Sequence, residues 1–189
     1  MGLTGLFFGS FNPIHNGHLA IARYLLEKRH CEKLWFVVSP QNPWKQEQDL
    51  LEEQKRLEIV KEAISGEENM DVCDIEFSMP RPSYTYQALR LLKENYPGRE
   101  FALIMGGDNL QKFHDWKNYR EIMANHTLFV YPRPGIVLSG TEEKNVVLVN
   151  APQIAVSSTD IRWKVRKGIN LSGDVPERVV KMIEKYYGR

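Results

Sequence analysis

Short apolar runs recur along the chain at the length of β-strands. Most of these runs are rich in Val, Ile and Phe, as is typical of strands that are buried on both faces. They lie at Leu3–Phe8, Leu34–Val38, Val72–Phe77, Phe101–Met105, Thr127–Tyr131 and Val146–Val149. The pattern therefore predicts six buried strands.

The stretches between these runs carry apolar residues at helical spacing. The spacing is formed by Leu19, Ala22, Leu25 and Leu26, then by Leu51, Leu57, Val60 and Ile64, and then by Leu89 and Leu92 before Pro97. Apolar strands that alternate with helices predict a doubly wound, Rossmann-like α/β fold, in which a parallel sheet has helices on both faces. Ligands of such sheets bind beyond the carboxyl ends of the strands.

The chain after Ser157 is predicted to be a C-terminal helical segment, from about residue 157 to residue 189. Its last helix is expected to run from Pro176 to about Tyr187, because proline is favoured in the first turn of a helix. A length of 189 residues suits one ordinary domain. Residues 1–189 are therefore expected to form a single domain.

Net charge, apolar content and cysteine count indicate which partners the chain is not expected to have. Lys and Arg number 25 against 24 Asp and Glu, a net charge of +1, so no broad field would attract nucleic acid or an anionic membrane. No window approaches the roughly 18 apolar residues of a membrane span. Cys31 and Cys73 form no close pair, which argues against a disulfide framework or a structural zinc and favours a reducing cytoplasm. We expect no nucleic acid and no membrane as partner.

The first strand is followed by the segment G-S-F-N-P-I-H-N-G-H, residues 9–18. Gly9 allows close approach to the backbone, and a helix is predicted to begin at about His18. The unpaired N–H groups at a helix start form an anion site, to which His15 and His18 would add donors. Two other interpretations stay open: a metal site, although no third ligand lies nearby in the sequence, and ordinary turn and core histidines.

A second polar segment, V-S-S-T-D-I-R at residues 156–162, precedes the C-terminal helical pattern. Ser157 or Ser158 could be an ordinary N-cap, worth about 1 kcal/mol. Three hydroxyl residues and Arg162 exceed what capping needs, and they suit an oligophosphate. We therefore predict that these two helix starts bind one triphosphate together.

The two segments together resemble the signature of the nucleotidylyltransferase superfamily, G-x-F-x-P-x-H-x-G-H and I-S-S-T-x-I-R. Within it, the middle of the chain resembles bacterial nicotinate-nucleotide adenylyltransferases. This resemblance is carried by Arg81-Pro82-Ser83-Tyr84-Thr85, Gly106-Gly107-Asp108-Asn109-Leu110, Phe113-x-x-Trp116 and Arg133-Pro134-Gly135. The chain departs from the pattern at Asn12, where the family often has Asp, and at Trp44, which precedes Lys45 where a His is common.

The resemblance implies that the phosphate of nicotinate mononucleotide attacks the α-phosphorus of ATP and releases pyrophosphate, with no protein nucleophile. It assigns catalysis to His15 and His18, of which His18 is the first choice for stabilising the transition state. Nicotinate mononucleotide would be bound by Thr85, Trp116 and Arg133. ATP would be bound by Gly9, Ser10, Phe11, His15, His18, Lys45, Gly106, Asp108, Ser157, Ser158, Thr159 and Arg162.

Several of these residues also have an ordinary structural interpretation. Lys45 could be a solvated loop lysine, and Asp108 could cap a helix instead of accepting from a ribose hydroxyl. Trp116 could be a core residue rather than a stacking face for the nicotinate ring, whose carboxylate Thr85 would bind. Arg133 could be a surface arginine instead of a phosphate ligand.

The chemistry of ATP implies Mg²⁺ as the cofactor, held mainly by phosphate oxygens and water, and we name no protein ligand for it. The expected partners are ATP and nicotinate mononucleotide, with a homo-oligomer left open. The alternatives are adenylyl transfer to nicotinamide mononucleotide or to phosphopantetheine. Two further alternatives are a nucleotide-binding regulator without catalysis and a fragment of a class I aminoacyl-tRNA synthetase. The second is disfavoured because this chain lacks the length for tRNA contacts.

Overall fold

A parallel β-sheet forms the centre of the molecule. The structure, a computed structural model, describes residues 2–40, 49–136 and 143–188. The strands are β1 (Leu3–Gly9), β2 (Lys33–Val38), β3 (Met70–Cys73), β4 (Glu100–Gly106), β5 (Leu128–Tyr131) and β6 (Val146–Leu148). They form a six-stranded sheet in the order β3-β2-β1-β4-β5-β6, and every pair between neighbours is parallel. This order is that of the Rossmann fold, which confirms the predicted fold class.

Helices connect the strands. In the described residues they are α1 (Asn16–Glu27), α2 (Glu53–Ala63), α3 (Thr85–Asn95), α4 (Gly107–Gln111), α5 (Tyr119–Asn125), α6 (Ser158–Arg166) and α7 (Val180–Tyr187). Short 3₁₀ turns lie at Ile75–Ser78, Phe113–Asp115 and Glu177–Val179. Within the described ranges, no helix has the length and apolar character that crossing a bilayer requires.

The sheet is buried on both faces because successive side chains of a strand point to opposite sides. In β2, Leu34 and Phe36 belong to one core, whereas Trp35 and Val37 belong to the other. The first core also contains residues of α1, α2, α6 and α7, and the second contains residues of α3, α4 and α5. Helices thus cover both faces, as predicted.

The largest differences from the predicted boundaries are in three elements. β3 ends at Cys73, because the N–H of Phe77 bonds the carbonyl of Asp74 at 2.8 Å and turns the chain out of the sheet. α1 begins at Asn16 rather than at about His18. The last helix begins at Val180, after a 3₁₀ turn that follows Pro176.

The strand order places a crevice at one edge of the sheet. β1 pairs with both β2 and β4, and the connections on its two sides leave the sheet in opposite directions. The carboxyl ends of β1 and β4 are Gly9 and Gly106, so both of these predicted site residues lie at the reversal point. Ligands of open α/β sheets bind at such a point.

Candidate active site

A cavity of about 660 Å³ opens beyond the carboxyl ends of β1 and β4. Most of the predicted site residues line it: Gly9, Ser10, Phe11, His15, His18, Asp108, Trp116, Arg133, Ser157, Ser158, Thr159 and Arg162. Gly106 lies just behind the wall, since a Cβ atom on it would come within 3.0 Å of Arg133 Nε and would collide with the Asp108 carboxylate. Lys45 and Trp44 lie outside the described residues. The sequence prediction therefore selected residues that the fold brings together.

The two polar segments meet across the cavity although they lie far apart in the sequence. The hydroxyl of Ser158 donates to the carbonyl of Pro13 at 2.9 Å. The guanidinium of Arg162 donates to the carbonyl of Asn12 at 2.7 Å. The start of α6 is thus bonded directly to the turn that leads into α1, and both present polar side chains to one cavity.

His15 and His18 form a stacked pair at the cavity wall. Their ring centroids are 3.7 Å apart, with an interplanar angle of 25°. The backbone N–H of His15 donates to Nδ1 of His18 at 3.3 Å. A neutral His18 ring therefore carries its proton on Nε2, since Nδ1 is the acceptor.

Both rings are held in the neutral form. Burial lowers the pKa of His15 to about 4, with a smaller contribution from the positive charge of Arg133 and an opposing one from Asp174. Burial also lowers the pKa of His18 well below its ordinary value, and His15 and Arg133 act in the same direction. At neutral pH the pair offers N–H donors without positive charge.

The helix starts are less open than the sequence predicts. The N–H of Asn16, the first residue of α1, donates to the carbonyl of Asp174 at 2.8 Å, and the N–H of His18 donates to His15 O at 2.9 Å. The prediction that the first N–H groups of this helix are unpaired is therefore wrong. At α6, the hydroxyl of Ser157 accepts from the N–H of Asp160 at 3.1 Å, so Ser157 is an N-cap, one of the two interpretations of that segment.

Asp108 and Arg133 face each other beside the histidines. Arg133 Nε lies 3.5 Å from Asp108 Oδ1, and each side chain is about half exposed. Arg133 also donates to the hydroxyl of Tyr131 at 3.3 Å. Asp108 Oδ1 is buried and has the guanidinium of Arg133 as its charged neighbour. The buried side chain of His15 belongs to a capping box with the backbone of His18.

The predicted ring-binding residues lie in different places. Trp116 lines the cavity. Its ring also packs on the ring of Phe113, with centroids 5.3 Å apart, so Trp116 contacts the core and the cavity at the same time. Thr85 is the first residue of α3 and does not line the cavity as formed by the described residues. The structure does not bring Thr85 together with the other predicted residues.

A smaller cavity of about 230 Å³ adjoins the first one and shares part of its wall. The two cavities share His15, His18, Tyr131, Arg133 and Val156. Much of the remaining wall of the smaller cavity is apolar, with Ile21, Ala151, Pro152 and Ile154.

Sequence reasoning does not reveal the supporting contacts of three residues. Arg56 is completely buried and bonds backbone carbonyls of the neighbouring loops. Asp174 caps α1 through its carbonyl and forms an ion pair with Lys164, with a distance of 2.5 Å between Nζ and Oδ2. Asn12 accepts from the hydroxyl of Tyr187 at 2.8 Å and donates to the carbonyl of Asp49 at 3.0 Å. A carboxylate could not make the second bond, which explains why an amide suits position 12.

Comparison with known proteins identifies the family. A family model described as cytidylyltransferase-like matches residues 6–164. A protein of Cytophaga hutchinsonii named probable nicotinate-nucleotide adenylyltransferase is 45% identical over 186 residues, which cover 97% of each chain. A protein of Bacteroides fragilis with the same name is 42% identical over 181 residues, covering 95% of this chain and 90% of the relative.

A solved structure shows the same fold at lower identity. It is the nicotinic acid mononucleotide adenylyltransferase of Plasmodium falciparum complexed with NaAD, with a TM-score of 0.83, 18% identity and coverage of 98% of this chain and 96% of that one. With the fold, the paired polar segments and the curated relatives in agreement, the chain belongs to the nicotinate-nucleotide adenylyltransferases of the cytidylyltransferase-like family.

Proposed function

We propose that this protein transfers the adenylyl group of ATP to nicotinate mononucleotide, which gives nicotinic acid adenine dinucleotide and pyrophosphate in NAD biosynthesis. The observation that carries this proposal is the joining of the two polar segments at one cavity. Ser158 and Arg162 of the second segment bond the carbonyls of Pro13 and Asn12 in the first. The family to which the chain belongs gives the reaction.

The reaction is a direct in-line displacement. An oxygen of the mononucleotide phosphate forms a bond to the α-phosphorus of ATP, while the bond from that phosphorus to the bridging oxygen of the β-phosphate breaks. The electron pair of the broken bond leaves with pyrophosphate, and no bond to the protein forms. The protein has to align two anions and stabilise the charge that moves toward the leaving group.

His18 is proposed to stabilise the transition state through the N–H on Nε2. Because the pKa of His18 is lowered, the ring donates a hydrogen bond without first losing a proton or carrying a full charge. The stacked ring of His15 is proposed to bind the triphosphate beside His18, together with Arg162 and Ser158, which line the same cavity. Lys45 stays a prediction for the same phosphates.

The two cavities are proposed to hold different parts of the reactants. The smaller, more apolar cavity suits the flat adenine ring, and the histidines shared by both cavities then lie beside the phosphates of ATP. The larger cavity suits nicotinate mononucleotide, with its ring on Trp116 and its phosphate on Arg133. Asp108, which lines the same cavity, is proposed to accept from a ribose hydroxyl of ATP. Thr85 stays a prediction for the nicotinate carboxylate.

Mg²⁺ is proposed to enter with ATP rather than to reside in the protein. The described residues include no cluster of three His, Cys, Asp or Glu side chains that could hold a metal ion. Among the described residues that line the larger cavity, Asp108 and Asp115 supply the carboxylates. One or two carboxylates with phosphate oxygens and water fit Mg²⁺, which would neutralise charge on the leaving pyrophosphate.

We also propose that residues 1–189 act as one domain in the reducing cytoplasm. The core that contains α1 and α2 continues into α6 and α7, which supports one domain. Cys31 and Cys73 are free thiols, as in reducing compartments.

Pyrophosphate release by the purified protein tests the function. ATP and Mg²⁺ are supplied with nicotinate mononucleotide, nicotinamide mononucleotide or phosphopantetheine in separate reactions. We expect the highest kcat/KM with nicotinate mononucleotide and formation of the dinucleotide in equal amount to pyrophosphate. Release with phosphopantetheine alone, or with no acceptor, would overturn the proposal.

A further inference from the structure

Arg56 of α2 is a buried cation that the reaction scheme above does not use. Its exposed fraction is 0%, and it is among the largest fully buried side chains of the described chain. The guanidinium donates to Leu51 O at 2.7 Å, to Ser39 O at 2.8 Å, to Pro40 O at 2.9 Å and to Ser10 O. A charge is costly to bury, so a guanidinium that is satisfied by several carbonyls indicates a specific role.

These carbonyls belong to the loops that follow two neighbouring strands. Ser10 follows β1 and lines the larger cavity, in the turn that leads to His15 and His18. Ser39 and Pro40 follow β2, and they directly precede the segment that contains Lys45. One side chain thus bonds both the chain after β1, where Ser10 lines the larger cavity, and the first two residues after β2.

We propose that Arg56 is a positioning residue that sets the affinity for ATP by holding these two loops in register, an inference that rests on the proposed function. The guanidinium suits this task because its five N–H groups lie in one rigid plane and reach acceptors on several sides. A lysine would keep the charge, but its single ammonium cannot reach both loops in the same way. Asn12 reinforces the arrangement, since it accepts from the N–H of Leu51 at 3.1 Å.

The test compares Arg56→Lys and Arg56→Ala with Arg23→Lys as the matched control. Arg23 also donates through two nitrogens, to Glu67, but it is about half exposed and lines neither cavity. The dissociation constant of ATP is measured by calorimetry with Mg²⁺ and no acceptor, and KM is measured for each substrate. Thermal unfolding establishes that each variant is folded at the assay temperature.

We expect the Arg56 variants to bind ATP about tenfold or more weakly, because small displacements of positioning groups are costly. KM for nicotinate mononucleotide should stay within about twofold of wild type, since its proposed ligands lie elsewhere in the cavity. Millimolar methylguanidinium should restore ATP binding to Arg56→Ala, and Arg23→Lys should match wild type.

The contrary outcomes are distinct. An unchanged ATP dissociation constant with only a smaller active fraction would show that Arg56 serves stability alone, and so would failure of both variants to fold. Either result overturns the inference. If wild-type protein releases no pyrophosphate with any acceptor, the proposed function fails, whereas the ATP binding comparison still decides the role of Arg56.

Discussion

At the scale of single residues, the sequence indicates which residues are candidates for the site better than it indicates the contacts that those residues make. His15, His18, Asp108 and Arg133 could be selected because their types and motif positions match phosphate and ribose binding. The tautomer of His18 could not be predicted, because it depends on a hydrogen bond of 3.3 Å from the backbone N–H of His15 to Nδ1 of His18. Arg56 went unnoticed although it stands beside Leu57 and four residues before Val60, on the apolar side of a predicted helix. A charged residue among the apolar positions of a helix indicates a buried side chain with hydrogen-bond partners.

Replacing His18 tests its proposed role in the transition state. His18→Ala should lower kcat by about 10²–10³-fold, as is typical when one preorganised donor is lost. The dissociation constant of ATP should change little, because His15 and Arg162 are still present. The measurements are steady-state kinetics and calorimetry, with the exposed His114→Ala as control. Near-native turnover in His18→Ala would rule out the assignment.

The lowered pKa of His15 predicts how stability depends on pH. The folded protein binds this proton with a pKa of about 4, whereas an unfolded chain binds it near 6.5, so the unfolded state holds more protons between these values. The free energy of unfolding should therefore be unaffected by His15 above pH 6.5 and should fall as pH is lowered from 6.5 to 4. The contribution of this group is about 3 kcal/mol in total.

Urea unfolding at pH 7.5 and pH 5 measures this effect. His15→Gln cannot titrate, so it should lose less stability between the two pH values than wild type does. His114→Gln, which removes an exposed imidazole, is the matched control variant. Equal pH dependence in wild type and His15→Gln would contradict the shifted pKa.

At the scale of elements, the sequence predicts buried strands well and short helices poorly. β1, β2, β4 and β5 were found within about one residue at each end, because buried strands of a parallel sheet are continuously apolar. α4 and α5 were not predicted, since five and seven residues are too few to display a helical period. The start of α1 at Asn16 depends on a carbonyl from Asp174, a partner that local sequence cannot reveal.

The cap of α6 gives a prediction at this scale. Ser157→Ala removes the acceptor for the N–H of Asp160 and should lower the free energy of unfolding by about 1 kcal/mol. Ser157→Thr retains the acceptor and should lose less. Urea unfolding with ATP absent separates this effect from ligand binding. Equal stabilities of Ser157→Ala and wild type would show that the cap contributes nothing.

At the scale of the whole molecule, the strand order made the position of the site predictable, because ligands of such sheets bind where the order reverses. The strand order does not predict the contacts by which residues of α6 and α7 hold the turn around Asn12. Tyr187, near the end of α7, bonds Asn12, whose carbonyl in turn accepts from Arg162. These contacts connect residues more than 100 positions apart, and no local pattern encodes them.

Tyr187→Phe tests this support. Loss of the hydroxyl should lower the free energy of unfolding by about 1 kcal/mol and raise KM for ATP severalfold, because the turn around Asn12 is held less firmly. The matched control is Tyr186→Phe, since the hydroxyl of Tyr186 bonds only the exposed side chain of Glu58 in the described contacts. Identical KM values for the two variants would contradict a role for Tyr187 in the site.

The bond between Tyr187 and Asn12 also has a consequence for synthesis on the ribosome, which proceeds from the amino terminus. Residue 12 leaves the ribosome before residue 187, and its side chain can make its full set of contacts only after residue 187 has been added. The turn that contains Asn12 is thus translated 175 residues before this contact can form. A chain that is released before Tyr187 has been added would therefore lack this bond.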